Sequence, residues 1–284
     1  MTIKEAEKKF ISGLEQLYDR DEAKALAVLV ISHVCRLTRA LVMVHGSEEI
    51  PVAREASILS VLKELKAGKP LQYVLGETVF YGLPFMVSSA VLIPRPETEE
   101  LVDWVIGEAK SAAGQVTSIL DIGTGSGCIP VALKKNLPEV HVAAIDISRD
   151  ALKVARQNAI LNQVEVEFNE ADILQTPTPC KFRYSVIVSN PPYIAENEKE
   201  QMHPNVLQHE PHTALFVPDN NPLLFYEKIA EFALMNLRPE GSLFFEINEN
   251  FGEEVVELLN KKGFRNVVLR KDLQGRDRMV RACL

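Results

Sequence analysis

The tetrapeptide Asn190-Pro191-Pro192-Tyr193 closes a short apolar run, Tyr184-Ser185-Val186-Ile187-Val188-Ser189, that reads as a β-strand. Two consecutive prolines fix φ and remove two backbone donors, so the segment offers carbonyl acceptors. Asn190 adds a side-chain carbonyl, and Tyr193 adds an aromatic face with a polar tip. At the carboxyl edge of a sheet, where open α/β folds bind ligands, this composition suits a planar NH2 group. Two acceptors take its two N–H bonds and an aromatic ring packs on its plane. A rigid turn after a strand is the plain alternative, so the motif gains its meaning from the rest of the chain.

A second constellation precedes it. Asp121-Ile122-Gly123-Thr124-Gly125-Ser126-Gly127 follows another apolar strand and opens a helix. Glycines there let backbone approach a ligand at a helix N-terminus. Their spacing is G-x-G-x-G, not the G-x-G-x-x-G of nicotinamide enzymes, and no Gly-Lys-Ser/Thr of a P-loop is present. The next strand ends in Asp146, placed for ribose hydroxyls. After the third strand comes Ala171-Asp172-Ile173. Asp172 is placed to accept from an adenine amino group, and Ile173 to pack on the base or offer its backbone N–H. This order of acid, glycine loop, ribose acid and adenine-edge acid resembles the S-adenosylmethionine site of class I methyltransferases.

The elements that must position these residues alternate. Strands are expected over 118–122, 140–145, 164–169, 184–189 and 242–247, with helices over 128–136, 149–162, 222–236 and 252–262. Two last strands, over 267–270 and 278–283, read as an antiparallel hairpin at the sheet end. The fold class is therefore α/β: a doubly wound, Rossmann-like methyltransferase sheet with a C-terminal antiparallel hairpin. Ahead of it, Ile3, Ala6, Phe10, Leu14 and Leu17 recur at helical spacing, and two further helices follow near 21–34 and 52–67. The domains read as a small helical bundle over 1–70, a β-hairpin linker over 71–94 and a catalytic domain over 95–284. The stretch 194–221 has little periodicity and follows the pocket directly.

Other segments narrow the family. Pro70-Leu71-Gln72-Tyr73-Val74-Leu75-Gly76, Phe80-Tyr81-Gly82, Leu92-Ile93-Pro94-Arg95-Pro96-Glu97-Thr98-Glu99 and Gly275-Arg276-Asp277-Arg278 resemble the peptide chain release factor N5-glutamine methyltransferases, the HemK/PrmC family. The resemblance spans essentially the whole chain. It implies methylation of the glutamine side-chain nitrogen in the Gly-Gly-Gln motif of bacterial class 1 release factors. The cofactor would be S-adenosyl-L-methionine and the product S-adenosyl-L-homocysteine. It also implies that Asp121, the Gly123–Gly127 loop with Thr124, Gly125 and Ser126, Asp146, Asp172, Ile173 and Asn190 hold the cofactor, with Arg95 and Thr98 bordering it. Asn190, Pro191, Pro192 and Tyr193 would hold the substrate glutamine, with Asn190, Pro191 and Tyr193 carrying the catalysis. The helical domain would recognise the protein substrate. Two departures stand out: Ile173 where the family often has Trp, and Asn248 after Glu246-Ile247 where it often has Gly. Glu246 accordingly reads as a supporting residue behind the pocket.

Bulk properties exclude other classes. A formal net charge of −8 over 284 residues argues against a dedicated nucleic-acid binder, and hence against an exocyclic-amine methyltransferase of DNA or RNA. A non-enzymatic binding module would not need both an intact glycine loop and an intact pocket. Cys35, Cys128, Cys180 and Cys283 form no CxxC and read as reduced thiols of a cytoplasmic protein. No apolar run approaches the ~20 residues of a membrane span. His203, His209 and His212 cluster near Glu210 without the close-set ligand pairs of a metal site, and read as a solvated loop over the pocket.

Overall fold

A computed structural model describes residues 1–112, 114–175, 180 and 182–284. Its chain forms two compact units. The first comprises Met1–Gly76 with His203–His209, and the second comprises Glu77–Met202 with Glu210–Leu284.

The first unit is helical. Thr2 starts α1 (Ile3–Leu14) with a capping box: its hydroxyl accepts from Glu5 N while the Glu5 carboxylate accepts from Thr2 N. Ile3, Ala6, Phe10 and Leu14 line the buried face of α1. Asp19 caps α2 (Arg20–Cys35), Thr38 caps α3 (Arg39–Val44), and α4 (Val52–Lys66) adds Ile58, Leu62 and Leu65 to the same core. Residues 71–75, expected in the hairpin linker, instead form one helical turn, α5 (Leu71–Leu75). Leu71 is buried in the helical core, and Gly76 ends the turn at φ +75°. Burial of an apolar face outweighed the strand propensity of Tyr73 and Val74.

The second unit opens with the hairpin β1 (Glu77–Phe80) and β2 (Leu83–Met86), followed by α6 (Pro96–Ser111), which has proline in its first turn. Alternation then runs β3 (Ser118–Ile122), α7 (Cys128–Asn136), β4 (His141–Asp146), α8 (Arg149–Leu161), β5 (Glu167–Glu170) and β6 (Tyr184–Ser189). The aperiodic stretch holds a two-strand parallel pair, β7 (Ile194–Ala195) with β8 (Phe216–Val217). Between them lies α9 (Pro204–His209), which belongs to the helical unit: Asn205 Nδ2 donates to the Tyr18 hydroxyl at 2.8 Å. Last come α10 (Leu224–Asn236), β9 (Leu237–Glu246), α11 (Gly252–Lys261), β10 (Arg265–Lys271) and β11 (Asp277–Cys283).

Seven strands make one sheet in the order β10-β11-β9-β6-β3-β4-β5, with β11 antiparallel to both its neighbours and the other pairs parallel. The central strands β3 and β6 are buried along their whole length. Alternate residues therefore feed two cores. Ile119, Val186, Val188 and Phe244 pack on one side with residues of α6 and α7. Leu120, Ile122, Ile187 and Phe245 pack on the other with residues of α10 and α11. The chain runs outward from β3 through β4 to β5, then returns to β6 on the other flank of β3. The carboxyl ends of β3 and β6 thus form the topological switch point.

Candidate active site

Both chemistry-bearing motifs emerge at that switch point. β3 delivers Asp121 and the glycine loop, and β6 delivers Asn190 directly after Ser189. The Ser189 hydroxyl donates to the Ile122 carbonyl at 2.6 Å, tying the two strand ends together. Between them opens a cavity of about 420 Å³. Gly123, Thr124, Gly125 and Ser126 line it, as do Asp146, Asp172, Ile173, Asn190, Pro191 and Pro192, with Arg95 and Thr98 completing the rim.

The half of the cavity expected to hold the cofactor is shaped by backbone. Gly125 sits at φ +54°, and a Cβ there would point into open space, so the loop leaves room for a ligand against bare backbone. Gly127 is required for a different reason. At φ +78° its Cβ would lie 2.9 Å from Ala155 Cβ of α8. Asp146 holds the loop with one oxygen accepting from Gly125 N and the other from Ser148 N, each at 2.8 Å. Burial still raises its pKa above the usual carboxylate value. Asp172 accepts from Leu174 N at 2.9 Å.

Asp121 is the exception to polar satisfaction. It is fully buried, and among the described residues neither carboxylate oxygen has a hydrogen-bond partner, nor has the buried Thr124 hydroxyl. Burial pushes the Asp121 carboxyl up to about 7; the nearby Thr124 hydroxyl tempers this without closing a hydrogen bond, and the charge of Asp146 adds to it. A buried, unpaired acid costs free energy unless a cation or donor completes it. Asp121 itself lies behind the cavity lining, which on β3 starts at Ile122, so the ammonium of S-adenosylmethionine is the group that would complete it from the far side of the glycine loop.

The half of the cavity expected to hold the substrate is tied down by side chains. Asn190 Nδ2 donates to Thr98 Oγ1 at 3.1 Å, which leaves its Oδ1 without a protein partner among the described residues. Thr98 Oγ1 in turn donates to Glu246 Oε2 at 2.6 Å. Tyr193 takes a place other than the expected one. Its ring lies outside the cavity lining, among the residues packed on the core beneath α10, and its hydroxyl donates to Glu246 Oε1 at 3.1 Å. A phenol packed against the core needs a hydrogen-bond partner, and the carboxylate behind the motif supplies it for this half-buried ring. The Tyr193 carbonyl accepts from Asn248 Nδ2 at 3.1 Å, so the residue standing where a glycine was expected braces the motif. Glu246 is 1% exposed, and burial raises its pKa, opposed by the hydrogen bonds from Thr98 and Tyr193 and by the charge of Arg278.

Glu210 corrects the reading of the histidine stretch. Far from solvated, it is buried and accepts from Arg95 Nη2 at 2.5 Å and from Ile93 N at 3.1 Å. It fixes the Pro94-Arg95-Pro96 turn that carries Thr98 into place. The usable signal was Arg95 itself, a cation between two prolines that needs a carboxylate from elsewhere in the chain. No cluster of potential metal ligands occurs among the described residues. The Gly275-Arg276-Asp277-Arg278 turn joins β10 to β11, where Arg278 pairs with Asp272 and Glu249, each at 3.1 Å.

Residues 5–76 match the PrmC N-terminal domain, and residues 108–215 match the methyltransferase small domain. A release factor glutamine methyltransferase of Flavobacterium psychrophilum is 46% identical over 282 residues, covering 99% of each chain. This chain belongs to the release factor glutamine methyltransferase family. A second family member, from Bacteroides thetaiotaomicron, is 39% identical over 95% of this chain and 96% of its own. Among solved structures, the hMettl16 catalytic domain in complex with a MAT2A 3'UTR hairpin superposes with TM-score 0.54 at 17% identity. It covers 76% of this chain and 81% of that one. That likeness establishes the methyltransferase fold. No helix among the described residues is long and apolar enough to cross a membrane.

Proposed function

We propose that this enzyme methylates the side-chain nitrogen of the glutamine in the Gly-Gly-Gln motif of class 1 peptide chain release factors, with S-adenosylmethionine as donor. The observation that carries the reading is the anchored Asn190 amide. Its NH2 is held by Thr98, and Asn190 and Pro191 line the same cavity as the glycine loop. Family membership supports the substrate, and the acidic net charge disfavours a nucleic acid.

An amide nitrogen is a weak nucleophile because its lone pair is delocalised into the carbonyl. Asn190 Oδ1 and the Pro191 carbonyl accept its two N–H bonds and so aim the lone pair out of the amide plane. The same two acceptors stabilise the positive charge that grows on nitrogen as it pyramidalises. A proton leaves the nitrogen afterward, and no dedicated base is required. When bound, S-adenosylmethionine supplies an electrophilic methyl group on a sulfonium. Asp121 would hold its amino group, Asp146 its ribose, and Asp172 with Ile173 its adenine. Tyr193 contributes from behind the wall by holding Glu246. Acting on release factors places the enzyme in the cytoplasm.

The test is transfer of tritium from labelled S-adenosylmethionine to three substrates: a purified release factor, the same factor with the Gly-Gly-Gln glutamine changed to alanine, and duplex DNA. Label on the first alone is expected. Label on DNA, or equal label on both release factors, would overturn the reading.

A further inference from the structure

We propose that Glu246 is a positioning residue for the transfer. Through Thr98, its carboxylate sets the direction of a hydrogen-bond chain that locks the Asn190 amide with its oxygen available to substrate. The assignment rests on the reading of Asn190 just given.

A primary amide is nearly symmetric in shape. Rotation by half a turn exchanges its oxygen and NH2 at little steric cost, yet the two ends have opposite hydrogen-bond character. A flipped Asn190 would set NH2 against the NH2 of the substrate, donor against donor. Something must therefore choose one orientation. Thr98 alone cannot, because a hydroxyl both donates and accepts. Its single hydrogen decides, and that hydrogen is claimed by Glu246: the 2.6 Å contact is a short hydrogen bond that the Thr98 hydroxyl donates. With the hydrogen turned away, Thr98 presents only lone pairs to Asn190, which can then approach only through Nδ2.

The second carboxylate oxygen is covered by the Tyr193 hydroxyl, so both neighbouring hydroxyl hydrogens point at Glu246 and neither at Asn190. Thr98 is 2% exposed and Glu246 1%, which keeps water from competing for these bonds. Strand register explains the placement. Ser189 pairs with Phe245 in the parallel β6–β9 ladder, so Asn190 and Glu246 are the next residues of adjacent strands. The acid thus stands behind the motif by construction of the sheet.

Three variants and one spectroscopic signal test this. Thr98→Val keeps the shape but removes the acceptor, Thr98→Ser restores it, and Glu246→Gln lets the chain run in either direction. Thr98→Val and Glu246→Gln are expected to lower kcat about 10- to 100-fold, the scale of a misplaced reacting group. Affinity for S-adenosylmethionine should move far less, and Thr98→Ser should recover most of the lost turnover. Independently of any substrate, the Asn190 side-chain NH2 protons, assigned by their loss in Asn190→Asp, should exchange slowly with solvent in the free wild-type protein. In Thr98→Val they should exchange at least about tenfold faster, as for an amide that has lost its acceptor. Full turnover in Thr98→Val, an equal loss in Thr98→Ser, or unchanged amide exchange would each overturn the assignment. A wild-type protein that leaves release factor unlabelled would overturn the functional reading instead, while the exchange measurement still decides the hydrogen-bond chain.

Discussion

The loops after β3 and β6 leave neighbouring parallel strands and line one cavity, yet they are built in opposite ways. The β3 loop uses glycines at positive φ, and the acid just before it in β3, Asp121, is buried with no hydrogen-bond partner among the described residues. The β6 loop uses two prolines at fixed φ, and its key amide, Asn190, is anchored to Thr98 and through it to Glu246. On the proposed reading, one half of the site is incomplete until a ligand supplies the missing charge. The other half is complete before any ligand arrives. The difference separates two tasks. A group left unsatisfied in the free protein favours binding, because the ligand relieves its desolvation. A group already oriented contributes to the rate, because no reorganisation is needed as charge develops. Damage to the first loop should therefore appear in cofactor affinity, and damage to the second in kcat.

The sharpest break is Asn190→Asp. Aspartate keeps an acceptor toward the substrate but sets oxygen against Thr98 Oγ1 and a second carboxylate near Glu246. We expect kcat to fall about 10²- to 10³-fold, roughly 3–4 kcal/mol of barrier, the scale for losing one preorganised hydrogen-bonding group. Calorimetry should find a much smaller change in cofactor affinity; a loss of affinity as large as the loss of rate would erase the division of labour. Next in size is Gly127→Ala. Its methyl would enter the 2.9 Å gap to Ala155 at a φ of +78°. Left-handed strain of about 1–2 kcal/mol and overpacking of about 1–3 kcal/mol together predict a loss near 3 kcal/mol. For a domain of this size that corresponds to a fall in Tm of roughly 6–12 °C by circular dichroism. A fall under about 2 °C would mean that α8 can yield there.

Much of this contrast was legible in the chain. Buried parallel strands read as continuous apolar runs, so β3 and β6 stand out, and the motifs at their ends follow directly. What could not be read were side-chain choices made by tertiary contacts. The aromatic ring of Tyr193 suits stacking on an amide, but its hydroxyl must be satisfied when buried, and Glu246, fifty-three residues away in sequence, satisfies it. Glu210 looks like one acid among loop histidines until Arg95 arrives from 115 residues upstream. Residues 71–75 carry strand-formers, and only the helical core that takes up Leu71 decides otherwise. In each case local pattern named the chemistry available, and a partner distant in sequence selected which part of it was used.

The mildest prediction probes the incomplete loop through pH. In the free protein the Asp121 carboxyl is pushed up to about 7, chiefly by burial. Below that pH it carries a proton; above it, it is an unpaired buried anion. An ammonium placed against it favours the ionised form, so the pKa falls on binding and, below about 7, cofactor binding must release a proton. By linkage, affinity for S-adenosylmethionine rises with pH up to about 7, by at most about tenfold per unit, and then levels off. Asp121→Asn removes the titrating group. It should weaken binding about 10- to 100-fold near neutral pH, the scale of a lost charged hydrogen bond, and flatten the pH dependence. Calorimetry in two buffers of different ionisation enthalpy reads the proton release directly, with no release factor present. A wild-type affinity independent of pH below neutrality would mean that Asp121 meets something other than a cation, and the contrast between the two loops would then have to rest on the proline side alone.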